Sequence, residues 1–261
     1  MDIRHPSPTQ FGPARLMLNK VPEVTLYFWI IKILATTVGE TAADFLIFNF
    51  KLGLTNTTYF MSALLAVALV AQFRTRRCVE WVYWLAVVLI SIVGTLITDN
   101  LVDNLGVPLQ TTVWAFGAAL AATFALWYAS EKTLSIHSIA TSKREAFYWL
   151  TILFTFALGT AAGDLAAESM KLGYANSALM FGGTIAAVAF AYYVLRLNAV
   201  MAFWVAYILT RPLGASFGDL LSQPAANGGL GLGTVDTSAV FMTAILVLVI
   251  YLTQSQKRLK S

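Results

Sequence analysis

Charge is scarce in this sequence. Asp, Glu, Lys and Arg make up 11% of its 261 residues, against 58% hydrophobic residues. A soluble domain carries roughly 25% charged residues because its surface must face water, so the chain is not built as a water-soluble body. Cysteine occurs once, at Cys78, and histidine twice, at His5 and His137. A lone cysteine excludes an internal disulfide, and no Cys cluster exists for zinc or an iron–sulfur centre. Enzyme signatures are missing as well: no His-Glu-x-x-His, no nucleophile elbow, no phosphate-binding glycine loop and no Cys-x-x-Cys. The expectation is a protein that is not an enzyme and holds no permanently bound cofactor. The stretch from Met1 to Lys20 is polar and lacks the apolar core of a cleavable signal peptide, so the first apolar segment is expected to stay in the mature protein. A net charge of +4 does not imply nucleic acid. In a membrane protein the placement of Lys and Arg carries the meaning.

What is present in abundance is apolar sequence of bilayer length. Apolar stretches fall at 25–50, 57–73, 80–103, 109–129, 146–170, 175–195, 199–222 and 237–253. Most approach the ~20 residues a helix needs to cross the hydrocarbon core. The fold class expected is an all-α integral membrane protein of eight transmembrane helices, with the lipid bilayer as its main partner. Turn signals separate the stretches at Gly53, Gly106-Val107-Pro108, Gly173 and the glycine-rich run from Asn227 to Gly233. Asn56, Thr57, Thr58, Asn176 and Ser177 are expected to cap even-numbered helices. The organisation predicted is a tail over 1–24, a first pair of helical hairpins over 25–129, a linker over 130–145, a second pair over 146–254 and a tail over 255–261.

Eight crossings from a cytosolic N-terminus put Arg4, Arg15, Lys20, Arg74, Arg76, Arg77, Lys132, Lys143, Arg144, Arg196, Lys257, Arg258 and Lys260 on the cytosolic side. The other side receives Lys51 and Lys171, while Lys32 and Arg211 fall inside spans. This asymmetry follows the positive-inside rule, and both termini are predicted to be cytosolic.

The strongest signal is an internal repeat. Each odd-numbered span carries Trp, nine residues, Gly, four residues, Asp: Trp29–Gly39–Asp44, Trp84–Gly94–Asp99, Trp149–Gly159–Asp164 and Trp204–Gly214–Asp219. The unit reads as a helical hairpin of about 55 residues, used four times in parallel around an axis along the membrane normal. Each Asp lies roughly 22 Å beyond its Trp at 1.5 Å per residue. The Trp residues are expected to anchor in an interfacial belt. Another small residue follows each Gly four positions later (Ala43, Thr98, Gly163, Gly218), a spacing that lets helix backbones approach closely. The four glycines therefore predict helix crossings, with the four aspartates converging at one level.

Further acids join them. Glu40 precedes Asp44 by four residues, and Asp103 and Glu168 follow Asp99 and Asp164 by four. Positions four apart share a helix face. Lys32 and Arg211 are the cations available in the spans and are predicted to pair with these acids. The surplus of buried carboxylates must be protonated or neutralised by a bound cation. Oxygen ligands without Cys, His or Met suit Mg²⁺, Mn²⁺ or Ca²⁺ rather than Cu⁺ or Zn²⁺. Thr41, Thr95, Thr98, Thr160 and Ser216 add hydroxyl oxygens nearby.

The stretches Lys20-Val21-Pro22-Glu23-Val24-Thr25, Thr36 to Asp44 and Gly214 to Pro224 resemble a widespread, largely uncharacterised bacterial family of multi-pass membrane proteins. The resemblance runs over nearly the whole chain. It implies a protein of the bacterial inner membrane and specifies no substrate. Small metal exporters that build acidic sites from duplicated helical hairpins offer an analogy of architecture. The function expected is secondary transport, as an exporter, of a hard divalent cation with manganese first. The alternatives are a membrane scaffold or sensor with a structural Asp/Gly repeat, or a proton-coupled carrier of a small organic cation.

Overall fold

Long apolar stretches of this length close their backbone hydrogen bonds within themselves, which makes them helices. A computed structural model describes residues 19–50 and 53–258. Expectations resting on Arg4, His5, Arg15, Lys51 and Lys260 lie outside these residues. Eight long helices run through the described chain: α1 Leu26–Phe50, α2 Leu54–Arg74, α3 Glu80–Asp99, α4 Leu109–Glu131, α5 Ser142–Asp164, α6 Gly173–Tyr193, α7 Ala199–Ser222 and α8 Thr234–Arg258. Seven of them are long and apolar enough to cross a membrane, the profile of a multi-pass membrane protein. The remaining one, α1, carries Lys32, Glu40 and Asp44 among its 25 residues.

The odd-numbered helices form the interior. α1 packs on α3, α3 on α5, α5 on α7, and α7 returns to α1, closing a ring of four. In α3, α5 and α7 the buried share of the apolar window is 78%, 61% and 56%, whereas α2, α4, α6 and α8 lie between 6% and 22%. The even helices therefore form an outer layer with largely exposed apolar faces. Their pairing departs from the expected hairpin. α2 packs on α3, α4 on α5, α6 on α7 and α8 on α1, so each covers the odd helix of the next repeat instead of its own. The sequence unit and the packing unit are thus offset by one helix, and every repeat is tied to its neighbour by two contacts, one inner and one outer.

Glycine closes the ring. A Cβ placed on Gly39 would stand 2.6 Å from Ser91 Cβ, and one on Gly94 would stand 2.7 Å from Phe156 Cβ. The same atom on Gly159 would meet Arg211 Cβ at 2.5 Å, and on Gly214 it would meet Thr36 Cβ at 2.5 Å. Each repeat glycine thus marks the crossing of its helix with the next, in the order α1–α3, α3–α5, α5–α7, α7–α1. The small residues one turn on extend the contact, with Gly163 and Gly218 facing Ala215 and Glu40 at 3.4 and 3.3 Å by the same measure.

Three of the four repeat tryptophans face inward, not outward as interfacial anchors would. Trp84, Trp149 and Trp204 are 2–4% exposed, and Trp29 is half-buried. They interlock with Phe28, Tyr83, Tyr148 and Phe203, which stand one residue earlier in each repeat; centroids lie 5.4 Å apart for Phe28–Trp84, 5.6 Å for Tyr83–Trp149 and 6.2 Å for Tyr148–Trp204. Ring closure turns these positions inward and packs eight aromatic side chains into a plug at one end. Exposed indoles occur instead at Trp81 and Trp114. Over the plug's end lies the segment from Asn19. Its Lys20 Nζ donates to Glu145 Oε2 at 2.6 Å and to the Phe73 carbonyl at 3.0 Å. The expected caps are also corrected. Thr57, Thr58 and Asn176 lie inside the first turn and donate back to the carbonyls of Gly53, Leu54 and Leu172. The cap position of α2 is Gly53, with φ 74. That backbone conformation is strained for residues with a Cβ, which leaves no side chain there to cap the helix.

Candidate functional site, an acidic chamber on the ring axis

Four copies of one helix, all pointing the same way, stack equivalent residues in layers. The layer three residues before the ring glycine holds Thr36, Ser91, Phe156 and Arg211; the layer one residue after it holds Glu40, Thr95, Thr160 and Ala215. Symmetry is therefore broken at the centre by one guanidinium and one carboxylate. Arg211 is fully buried. Its Nη2 donates to Glu40 Oε2 at 2.7 Å, to Thr160 Oγ1 at 2.7 Å and to Thr95 Oγ1, and its Nη1 donates to the Thr36 carbonyl at 2.9 Å. One side chain from α7 thus bonds to α1, α3 and α5. The planar fork of five donors makes arginine suited to such a junction.

Beyond this pin the axis opens into a cavity of about 320 Å³. Glu40, Asp44, Asp99, Asp103, Asp164, Glu168 and Asp219 all line it. Every acid singled out by the repeat is brought to the same chamber, although the seven come from four helices spread over 180 residues. Exposure grades along the axis. Glu40 and Asp219 are buried, Asp44, Asp99 and Asp164 are half-buried, and Asp103 and Glu168 are exposed. The chamber is therefore closed at Arg211 and open at the aspartate end.

Asp103 and Glu168 reach it through a local change of helix type. α3 and α5 each run on into a π turn, Asn100–Asn104 and Leu165–Ser169, at equivalent places in the repeat. Such turns are rare and cluster at functional sites. The fourth repeat places Gln223 at the corresponding position, and its Nε2 donates to Asp44 Oδ2 at 3.2 Å. Gln223 and Tyr174 also line the chamber and were not singled out from sequence. Repeat register would have flagged Gln223, but Tyr174 belongs to α6, which the motif does not cover.

Carboxylate oxygens of Glu40, Asp164 and Asp219 lie within 4.8 Å of one another. Two oxygens on opposite sides of a hard cation stand about 4–5 Å apart, given bond lengths of 2.0–2.6 Å. The spacing fits such an ion. The hydroxyls divide. Thr95 and Thr160 serve Arg211, whereas Thr98 bonds the Gly94 and Ala157 carbonyls at 3.2 and 3.0 Å, and Thr41 accepts from Ser238 at 2.7 Å. Ser216 is buried and its oxygen has no hydrogen-bond partner among the described residues.

Lys32 does not pair with an acid. Its Nζ lies 4.1 Å from the centroid of Phe156 and 4.3 Å from that of Tyr207. Glu40 stands two turns further along α1, and its Oε2 already accepts from Arg211. The amine stays on the plug side of the pin.

No curated protein and no solved structure shows significant similarity to the chain. The family model described as Repeat of Unknown Function (DUF347) matches four times, over residues 27–78, 82–133, 147–198 and 202–258, each match holding one odd helix and the even helix that follows it. With most of its length in these four copies, the chain belongs to the DUF347 repeat family.

Proposed function

We propose that this protein is a secondary transporter, acting as an exporter, of a hard divalent cation, with manganese the first candidate. In this reading eight helices span the bacterial inner membrane with both termini in the cytosol, and the acidic chamber opens to the opposite side. The observation that carries it is the convergence of seven carboxylates on one axial chamber whose lining holds no Lys or Arg among the described residues, with Arg211 reaching it only through its bond to Glu40. An isolated carboxylate inside a membrane protein is costly and marks a site by default. Seven around one cavity leave a surplus of negative charge that a divalent ion would offset. Oxygen donors alone favour Mg²⁺, Mn²⁺ or Ca²⁺ over softer metals.

A second reading has its own observation. Arg211 bonds to the other three inner helices and the aromatic plug fills the axis behind it. An axis closed in this way also suits a sensor that binds a cation from one side without moving it. Proteoliposome flux separates the two. Asp→Asn at positions 44, 99, 164 and 219 removes charge while keeping shape, at about 1 kcal/mol of stability per site. The transport reading expects Mn²⁺ movement by the native protein and its loss in well-folded Asn variants. Binding without movement favours the sensor. Full movement in all four variants rules out the chamber as the cation site.

A further inference from the structure

Beneath the chamber, on the plug side of Arg211, lies the buried amine of Lys32. We propose that Lys32 is the proton-exchange site of this protein, holding the coupling proton while the acidic chamber holds the cation. The proposal rests on the transport reading above and supplies its coupling ion.

The repeat provides an internal control for what this layer needs. Seven residues before the ring glycine, the other three copies carry Val87, Ile152 and Tyr207. An apolar or aromatic side chain therefore fills the layer, and packing does not call for an amine. Lys32 is nevertheless fully buried there. Its Nζ has no hydrogen-bond partner among the described residues and sits over the Phe156 and Tyr207 rings. In the layer of Lys32 and the layers one turn to either side, the charged and titratable side chains are Arg211 and Tyr207 from α7, Tyr148 from α5 and Tyr83 from α3; Glu40 stands two turns on, on α1 itself. None accepts a hydrogen bond from Nζ.

This setting can house the amine with or without its proton. Two ring faces favour the ammonium, an attraction strengthened where water is excluded. The neutral amine leaves no partner carboxylate stranded, because Glu40 is held by Arg211. The two cations divide the work: arginine stays protonated and fixes the geometry, whereas a lysine in a dry pocket changes protonation state readily. In the exchange step an N–H bond of the ammonium breaks, its electron pair stays on nitrogen, and the proton bonds to a water molecule on the cytosolic side, leaving as hydronium. A proton from the other side of the membrane restores the ammonium. The hydroxyls of Thr36, Thr95 and Thr160 lie in the two layers between Lys32 and the aspartates.

Proteoliposomes loaded with a pH-sensitive dye, and assayed in parallel for Mn²⁺ movement, test the assignment. The native protein should move protons against Mn²⁺, and an imposed pH gradient should accelerate Mn²⁺ flux. Lys32→Met fills the layer as the other repeats do. It should bind Mn²⁺ in detergent with affinity within about twofold of native by titration calorimetry, yet lose Mn²⁺-driven proton movement and the response to the gradient. Lys32→Arg keeps the charge over the rings without a releasable proton and should show the same loss, which covers the case in which the Met variant does not fold. Native-level proton movement in either folded variant overturns the assignment alone. Mn²⁺ movement by the native protein with no proton movement overturns it while leaving transport intact. Absence of any Mn²⁺ movement by the native protein brings down the transport reading and the assignment with it.

Discussion

Replacing each ring glycine with alanine tests the closed ring directly. In Gly214→Ala the new Cβ would lie 2.5 Å from Thr36 Cβ and 3.1 Å from the Thr36 carbonyl carbon, where ordinary contact is 3.4–4 Å. Relief requires α7 and α1 to part by about 1 Å, and in a closed ring that displacement loads the other three crossings. Overpacking of this kind costs about 1–3 kcal/mol. Gly117 and Gly183 serve as controls, since they are helical and a Cβ on either meets nothing within 4 Å. At those positions alanine should gain up to about 1 kcal/mol of helix propensity. Ring and control variants should therefore differ by about 1–4 kcal/mol, a gap in melting temperature of roughly 2–16 °C on the scale of proteins this size. Gly163→Ala, which meets Ala215 Cβ at 3.4 Å, should fall between the two groups. The assay is thermal melting of detergent-purified variants followed by size-exclusion chromatography. Ring variants melting at or above the controls would refute the crossing geometry.

The Arg211 pin makes a second prediction. Arg211→Met leaves Glu40 buried without its partner and should cost about 3–5 kcal/mol, while the double variant with Glu40→Met should recover most of that in the same melting assay. Recovery of less than about a third would mean that Arg211 stabilises chiefly through Thr36, Thr95 and Thr160. Topology is checked by a reporter active only in the periplasm, fused to the C-terminus. It should be silent, and strong activity there would contradict the eight-span arrangement.

The odd–even difference between helices and the four-fold motif were legible because both are periodic. Trp, Gly and Asp at constant spacing need no knowledge of neighbours to be seen, and identical helices pointing the same way must bring identical residues to one level. The acids Asp44, Asp99, Asp164 and Asp219 followed from that alone, as did Glu40, Asp103 and Glu168 by helical register. What spacing cannot convey is which way a residue faces once the ring closes. The tryptophans read as membrane anchors because an indole in a hydrophobic span has that usual place, but closing the ring turned Trp84, Trp149 and Trp204 inward against aromatic neighbours. Lys32 read as a partner for an acid because it and Arg211 are the cations available in the spans, yet only Arg211, 171 residues along the chain from Glu40, reaches that carboxylate. Even helices settled on the next repeat rather than their own, a choice made by the shape of the assembled ring. Local chemistry and period are properties of a single helix and survive in its sequence. Facing, pairing and the closure of the chamber depend on distances between helices, which exist only when all four copies have packed.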